Sequence, residues 1–154
     1  MRARSAATDL VRKVQFFTRR FMALIVQKFG GTSVADIDRI KAVAERVKKE
    51  VDAGNQVAVV LSAMSGVTNA LVGYVSDITA LHDAREYDSV VATGEQVTVG
   101  LLALALQSLG IPARSWLGWQ IPIHTDDAHG KARIQSIETE EMQKRLDKGE
   151  VCVV

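Results

Sequence analysis

A lysine, two glycines and two hydroxyl residues lie together near the start of the chain and could bind a phosphate group. They form the segment Lys28-Phe29-Gly30-Gly31-Thr32-Ser33. The lysine brings a positive charge, and the glycines let backbone N–H groups approach an anion with no Cβ in the way. A helix that begins here would add its positive dipole end, with Thr32 or Ser33 as its cap. The segment predicts a phosphate site, but a plain strand-to-helix turn with a surface lysine explains it equally well at this point.

The order of these residues separates the segment from two familiar phosphate-binding loops. In a Walker A loop the lysine follows the glycines, whereas Lys28 precedes Gly30 and Gly31. The spacing of a G-x-G-x-x-G loop is absent as well. The chemistry therefore has to be argued from the elements that position the segment.

Short apolar runs alternate with amphipathic stretches along the rest of the chain. We expect strands at 23–26, 57–61, 113–116, 132–137 and 151–154. We expect helices at 34–51, 71–81, 84–109 with an interruption at 93–95, and 139–149 with Thr139 as its cap. This alternation predicts an α/β fold with a parallel sheet. The stretch 97–109 is almost wholly apolar, which predicts a buried helix that is too short to span a bilayer.

Charge is unevenly distributed along the 154 residues. Residues 1–21 carry six basic side chains against Asp9, and the remainder is mildly acidic, which gives no reason to expect a nucleic-acid partner. The Arg-rich start loosely resembles a transit peptide, but we favour a misplaced start before Met22 or a non-native leader. We therefore exclude 1–21 from the fold and assign 22–154 to the domain. No stretch suits a signal peptide or a membrane span.

The single cysteine and the last strand give two further expectations. Cys152 has no partner for an internal disulfide and lies in an apolar run, so we expect it to be buried. Without disulfides or an export signal, the chain is expected in the cytoplasm. The strand at 151–154 has no helix after it, and such an open apolar edge predicts that the chain is truncated.

Three segments together resemble the aspartate kinases of the amino acid kinase family. They are KFGGTSV at 28–34, SAMSGVTN at 62–69 and ATGEQ at 92–96. A fourth, TDDAHGKA at 125–132, is similar to the family's loop at the same place. The resemblance runs from about residue 22 to residue 154. It implies a three-layer α/β/α sandwich with a mostly parallel sheet, represented here by its N-terminal, substrate-side part.

The resemblance also implies a reaction and a set of site residues. The family's enzyme transfers the γ-phosphoryl group of Mg²⁺-ATP to the side-chain carboxylate of L-aspartate, the first step towards lysine, threonine and methionine. Lys28 would be the catalytic residue that contacts the transferring group, since this reaction depends on positioning and charge neutralisation. Thr68 would contact the substrate, and Glu95 would bind its ammonium group. The residues implied for ATP and phosphate are Lys28, Phe29, Gly30, Gly31, Thr32, Ser33 and Ser62.

Several residues have simpler interpretations. Ser62 and Thr68 would then cap a turn, and Thr93 and Glu95 would be a helix cap and a first-turn acid. No metal-ligand spacing links the histidines or the adjacent acids of the irregular segment 117–130, so we expect no metal site. Those residues stay unassigned: His124, Asp126, Asp127 and His129.

The chain lacks parts that the family's active site needs: the Gly/Thr-rich nucleotide segment, the catalytic aspartate and the substrate-binding arginine. Activity of the chain alone is therefore not expected to follow from the resemblance. One alternative is another member of the family, a glutamate, acetylglutamate or uridylate kinase. A second is a non-catalytic remnant that binds phosphate or associates with a full-length kinase. The full-length parent is expected to be a homo-oligomer that binds L-aspartate and ATP.

Overall fold

The computed structural model describes residues 23–154, in which helices pack on both faces of a parallel sheet. The predicted extension 1–21 lies outside the described residues, so its exclusion stays a prediction. The strands are β1 (Leu24–Phe29), β2 (Gln56–Leu61), β3 (Ala113–Ser115), β4 (Ile123–Thr125), β5 (Ile134–Ile137) and β6 (Val151–Val153). The helices are α1 (Ile37–Asp52), α2 (Val67–Ile78), α3 (Ala84–Val91), α4 (Thr93–Ser108) and α5 (Glu140–Asp147), with a 3₁₀ turn at Gly31–Val34.

The main sheet has the strand order β1-β2-β6-β3, and all its neighbouring strands are parallel. Lys28 pairs with Val60 and Phe29 with Leu61, so β1 and β2 end side by side. The carboxyl ends of parallel strands meet at one edge of a sheet, where α/β proteins place their ligands. The turns after β1 and β2 are therefore neighbours at the edge where a site is expected.

The two faces of the sheet are covered by different helices. On one face, Val57 and Val59 of β2 pack with Val47 of α1 and Leu102 and Leu106 of α4. On the other face, α5 packs on β6 and β2 and contributes to a smaller cluster formed by Trp116, Ile121, Leu146 and Cys152. The predicted three-layer α/β/α arrangement is confirmed.

The start of α1 differs from the prediction. We expected the helix from residue 34 with Thr32 or Ser33 as its cap, but α1 begins at Ile37 and Asp36 caps it. The Asp36 carboxylate accepts the N–H of Arg39 at 2.8 Å. Asp36 thus caps the positively polarised N-terminus of α1. The prediction that this N-terminus lies at the glycine segment was wrong. At the other predicted cap, Thr139 precedes α5 but makes no capping hydrogen bond.

Two apolar segments are more exposed than their composition predicted. The predicted buried strand 23–26 overlaps the first half of β1, an edge strand of the described sheet, where Val26 is 64% exposed. Helix α2 has no buried residue, Ile78 is 85% exposed, and Leu81 lies beyond the helix end. Apolar spacing identified the strand and the helix, but it could not tell whether another element covers their apolar faces.

The segment 117–130 contains a strand that the sequence did not predict. Its strand β4 pairs antiparallel with β5, which is shorter than the expected 132–137. The connecting loop is organised by Asp126, whose Oδ1 accepts the N–H groups of Ala128 at 3.2 Å and Arg133 at 3.1 Å. A strand of three residues is too short to leave a clear alternating pattern.

Helices α3 and α4 follow each other almost without interruption. The combined run Ala84–Ser108 has the length and apolar composition of a membrane span, so the expectation of a helix too short for a bilayer does not hold for the pair. Within α4, however, Val99, Leu102 and Leu106 are buried in the core beside the sheet. Packing in the described domain thus explains one face of α4, while Val97 (56% exposed) and Leu104 (63% exposed) show that the predicted burial does not extend around the whole helix.

Cys152 is fully buried, as predicted, and gives a testable pH dependence of stability. Burial raises its pKa from 9.0 to about 11. The folded protein therefore holds this proton more tightly than the unfolded chain does. Its contribution to stability is complete below pH 9 and is lost as the pH rises towards 11. Denaturant titrations should show the free energy of unfolding falling by up to about 1.4 kcal/mol per pH unit in this range. In Cys152→Ala this component should be missing, and an equal fall in that variant would contradict the assignment.

Candidate active site

The ammonium group of Lys28 lies over the glycine segment. Lys28 is exposed near the end of β1, on the sheet face opposite α1. Its Nζ is 3.9 Å from the position that a Cβ would occupy on Gly30. Among residues 23–154 no carboxylate lies within ion-pair distance of it. Its charge is therefore available to an anion held at the turn.

The backbone of the turn supplies hydrogen-bond donors beside this ammonium group. The carbonyl of Gly30 accepts the N–H of Ser33 at 2.8 Å and so forms the 3₁₀ turn. Within the described part of the chain, the N–H groups of Gly30, Gly31 and Thr32 donate to no protein acceptor. Three amides without protein acceptors and one ammonium group thus lie close together in sequence at the end of β1, an arrangement suited to a phosphate.

The two glycines are needed for different reasons. A Cβ on Gly31 would lie 2.9 Å from the backbone oxygen of Ala63, so close packing against the protein itself requires this glycine. A Cβ on Gly30 would have only the Lys28 side chain within 4 Å. Gly30 also has an ordinary extended backbone, with φ −80°. The prediction that both glycines make room for a phosphate stays a prediction, and packing against the protein by itself requires a glycine only at position 31.

The hydroxyl residues of the turn differ in their surroundings. Thr32 is exposed, and its hydroxyl makes no hydrogen bond to any residue from 23 to 154. Ser33 lines a cavity of about 200 Å³ together with Phe29, Arg39 and Arg46. Ser33 and the two arginines thus share a small recess behind the turn, whose other lining residues are the apolar Phe29, Ala42 and Val43.

Ser62 lies on the turn that follows β2, and Thr68 lies just beyond that turn. The N–H of Ser62 donates to the carbonyl of Phe29 at 3.1 Å, which ties this turn to the phosphate turn. Thr68 is half-buried in the first turn of α2. The cap position of α2 is occupied by Gly66, whose φ of +81° favours glycine. The interpretation of Ser62 and Thr68 as side-chain caps finds no supporting contact in the described chain.

Glu95 reaches the same turn from α4. It is half-buried in the first turn of that helix, and its Oε1 accepts the N–H of Ala63 at 3.2 Å. The residue at the cap position is Ala92, and the Thr93 hydroxyl donates to the carbonyl of Val90 at 2.7 Å. Thr93 is therefore not the cap of α4. The fold brings together the segments 28–33, 62–68 and 93–95, which are far apart in sequence.

The fourth motif, 125–132, is attached to α3. Oδ2 of Asp88 accepts the N–H of Gly130 at 2.8 Å and lies 3.5 Å from Nδ1 of His129. Nε2 of His124 lies 2.8 Å from Oε1 of Glu138. Throughout residues 23–154, no three potential metal ligands of the His, Cys, Asp or Glu type cluster together. The contacts of His124 and Asp126 organise the β4–β5 hairpin, and the contact of His129 attaches its loop to α3.

The convergence depends on two small residues that sequence reasoning overlooked, Ala63 and Gly94. Both lie inside the motifs, at 62–69 and 92–96. The only feature of the sequence that could have pointed to them is their small size among polar residues. Small size by itself does not predict a contact. A larger cavity, of about 530 Å³, lies between the β4–β5 hairpin and α5, and none of the predicted site residues lines it.

Comparison with known proteins adds independent information. Residues 23–154 match the model of the amino acid kinase family. The aspartate kinase of Pseudomonas putida is 53% identical over 133 residues, which cover 86% of this chain and 32% of that protein. The crystal structure of aspartate kinase from Synechocystis superposes with a TM-score of 0.70 at 40% identity, covering 85% of this chain and 21% of that one. Escherichia coli aspartokinase III, in complex with aspartate and ADP, matches with a TM-score of 0.71 at 22% identity, covering 84% of this chain and 40% of that one.

The coverage is unequal on the two sides. The chain spans about a third of the length of the curated relatives that it matches, while they match most of the chain. The family match includes every element of the main sheet and all three segments of the candidate site. The chain therefore belongs to the amino acid kinase family.

Proposed function

We propose that this chain forms the aspartate- and phosphoryl-binding part of an aspartate kinase. The reaction would transfer the γ-phosphoryl group of ATP to the side-chain carboxylate of L-aspartate and produce 4-phospho-L-aspartate. The observation that carries the proposal is the convergence of a cationic turn after β1, a hydroxyl-bearing turn after β2 and the Glu95 carboxylate. The names of curated relatives at about 50% identity support the same reaction.

Each group has a role that its chemistry suits. Lys28 and the amides of Gly30 and Gly31 would neutralise the transferring phosphoryl group, because preorganised donors act most strongly where charge develops. Ser33 and Ser62 would lie beside the nucleotide phosphates. Phe29 and Thr32 would border the same phosphates. Thr68 would contact the amino acid, and Glu95 would bind its ammonium group. A carboxylate is the natural partner for a free amino acid's cation.

The rest of the proposal concerns the whole protein. ATP would enter as its Mg²⁺ complex, and the chain's own contribution is to the phosphoryl group and the amino acid. The roles proposed for this chain concern the phosphates and not the adenosine of ATP. Another part of an intact kinase would therefore have to bind the adenosine. We further propose that the intact enzyme works in the cytoplasm and is a homo-oligomer. Sedimentation analysis would measure its oligomeric state.

A chimeric enzyme provides the test. Residues 23–154 would replace the matched segment of the Pseudomonas putida aspartate kinase, giving a protein that we call the chimeric kinase. ATP-dependent phosphorylation of L-aspartate, L-glutamate, N-acetylglutamate and uridylate would then be compared. We expect L-aspartate to be strongly preferred. Preference for another acceptor would assign the chain to a different member of the family, and no activity in a folded chimera would favour a non-catalytic role.

A further inference from the structure

Ala63, which none of the preceding roles includes, lies where the three segments of the candidate site meet. It is 4% exposed and follows β2 directly after Ser62. Its carbonyl contacts the Gly31 segment, its side chain contacts Gly94, and its N–H donates to Glu95. Each of its three groups therefore faces a different segment.

We propose that Ala63 is a positioning residue, whose N–H orients the Glu95 carboxylate and whose small side chain sets the approach of α4. The inference rests on the proposed role of Glu95 as the ligand of the aspartate ammonium group. Ala63 touches neither substrate in this scheme and acts only through its neighbours. It would thereby fix the distance between the phosphoryl site and the amino-acid site.

The contact with Gly94 determines how closely α4 approaches the turn. A Cβ on Gly94 would lie 2.9 Å from the Cβ of Ala63 and 3.3 Å from Cγ1 of Val67. Real Cβ atoms do not approach this closely, so any larger residue at either position must push α4 away from β2. Since the hydrogen bond from Ala63 to Glu95 is already 3.2 Å long, a shift of a few tenths of an ångström weakens it.

The contact with Glu95 leaves the carboxylate available for a substrate. An ionised carboxylate accepts at both oxygens, and only Oε1 is engaged by the N–H of Ala63. The other oxygen and the negative charge remain for an ammonium group. A side chain that is held in place before binding loses less conformational freedom when the ligand arrives. Orientation by Ala63 would thus favour aspartate binding without neutralising Glu95.

The proposal can be tested in this chain without any assay of activity. In a ¹⁵N-alanine-labelled sample, the amide proton of Ala63 should move upfield in Glu95→Ala, which removes the acceptor. It should stay near its original shift in Glu95→Gln, whose amide oxygen still accepts. Gly94→Ala should also move it upfield, whereas Gly100→Ala, in the same helix with no atom within 4 Å of the added Cβ, should not. An Ala63 resonance that does not respond to Glu95→Ala would overturn the proposal.

A compensating double variant separates positioning from general damage. Ala63→Gly removes the atom that an alanine at position 94 would strike while it keeps the N–H donor. In ¹⁵N-glycine-labelled samples, which report position 63 in this variant, adding Gly94→Ala should leave the amide shift at position 63 close to that of Ala63→Gly alone. If Gly94→Ala fails to fold, Glu95→Ala and Glu95→Gln still decide the outcome, because neither adds an atom to this junction.

Kinetics in the chimeric kinase then distinguish this inference from the proposed function. Gly94→Ala should raise the KM for L-aspartate about tenfold, the loss expected for a weakened hydrogen bond to a charged group, while the KM for ATP stays unchanged. Gly100→Ala should alter neither. If Glu95→Gln leaves the aspartate KM unchanged, the substrate role of Glu95 fails although the amide shifts support positioning. If Gly94→Ala raises both KM values equally, its effect is general and the positioning role is wrong.

Discussion

Replacing Lys28 with alanine should lower the turnover of the chimeric kinase about a hundredfold or more, because removing one preorganised donor from a transition state typically costs about 10²–10³ in rate. The ammonium group lies over the glycine turn and has no carboxylate partner among residues 23–154. Its positive charge is thus free to stabilise a transferring phosphoryl group. Turnover measured at saturating ATP and L-aspartate is the relevant quantity, since the role proposed is in the chemical step.

The control for this experiment is Lys49→Ala. Lys49 is an exposed lysine in the last turn of α1, so its removal changes the net charge by the same amount at a different place. We expect its turnover and its thermal stability to match those of the parent protein. Lys28→Ala should also keep its thermal stability, because Lys28 is exposed and packs against no core residue. A variant that keeps its fold and its full turnover would remove Lys28 from the mechanism.

The second large effect is expected from alanine substitutions at the paired glycines, which should separate function from folding. Gly30→Ala places its methyl group where the proposed phosphate would approach, and that group meets only the Lys28 side chain within 4 Å. We therefore expect at least a tenfold loss of turnover, or about 1.4 kcal/mol, with a folded protein of unchanged or slightly higher stability. The loss of activity is measured as turnover in the chimeric kinase, and the stability as the melting temperature of the chain itself.

Gly31→Ala should behave in the opposite way. Its methyl group would lie 2.9 Å from a backbone oxygen that cannot move aside as a flexible side chain would. The expected result is a loss of about 1–3 kcal/mol in the free energy of unfolding, the usual cost of forcing an extra carbon into a packed site. If Gly30→Ala retains full turnover, a phosphate does not approach the backbone there. If instead Gly30→Ala unfolds the protein, the distinction drawn between the two glycines is wrong.

Local sequence patterns were sufficient for most elements of the fold. The apolar run 57–61 predicted β2 almost to the residue, and three- and four-residue spacing predicted most of α1. These patterns are set by the geometry of a strand and of a helix, which is repeated within a few residues. The start of α1 was misplaced because it depends on a single contact, between Asp36 and the N–H of Arg39. Strand β4 was missed altogether, because three residues leave no clear pattern.

What the sequence by itself determined is the chemistry available at each strand end: a lysine before two glycines after β1, hydroxyl groups after β2, and a carboxylate at the start of α4. The motifs and their order were sufficient for the resemblance to the amino acid kinase family. What only the tertiary structure decided is which of these groups touch. Glu95 and Ala63 are 32 residues apart, and Gly31 and Gly94 pack against the same alanine from different elements. The parallel order of the strands and the depth of their packing create those contacts, and no local pattern of residues encodes a distance between distant segments.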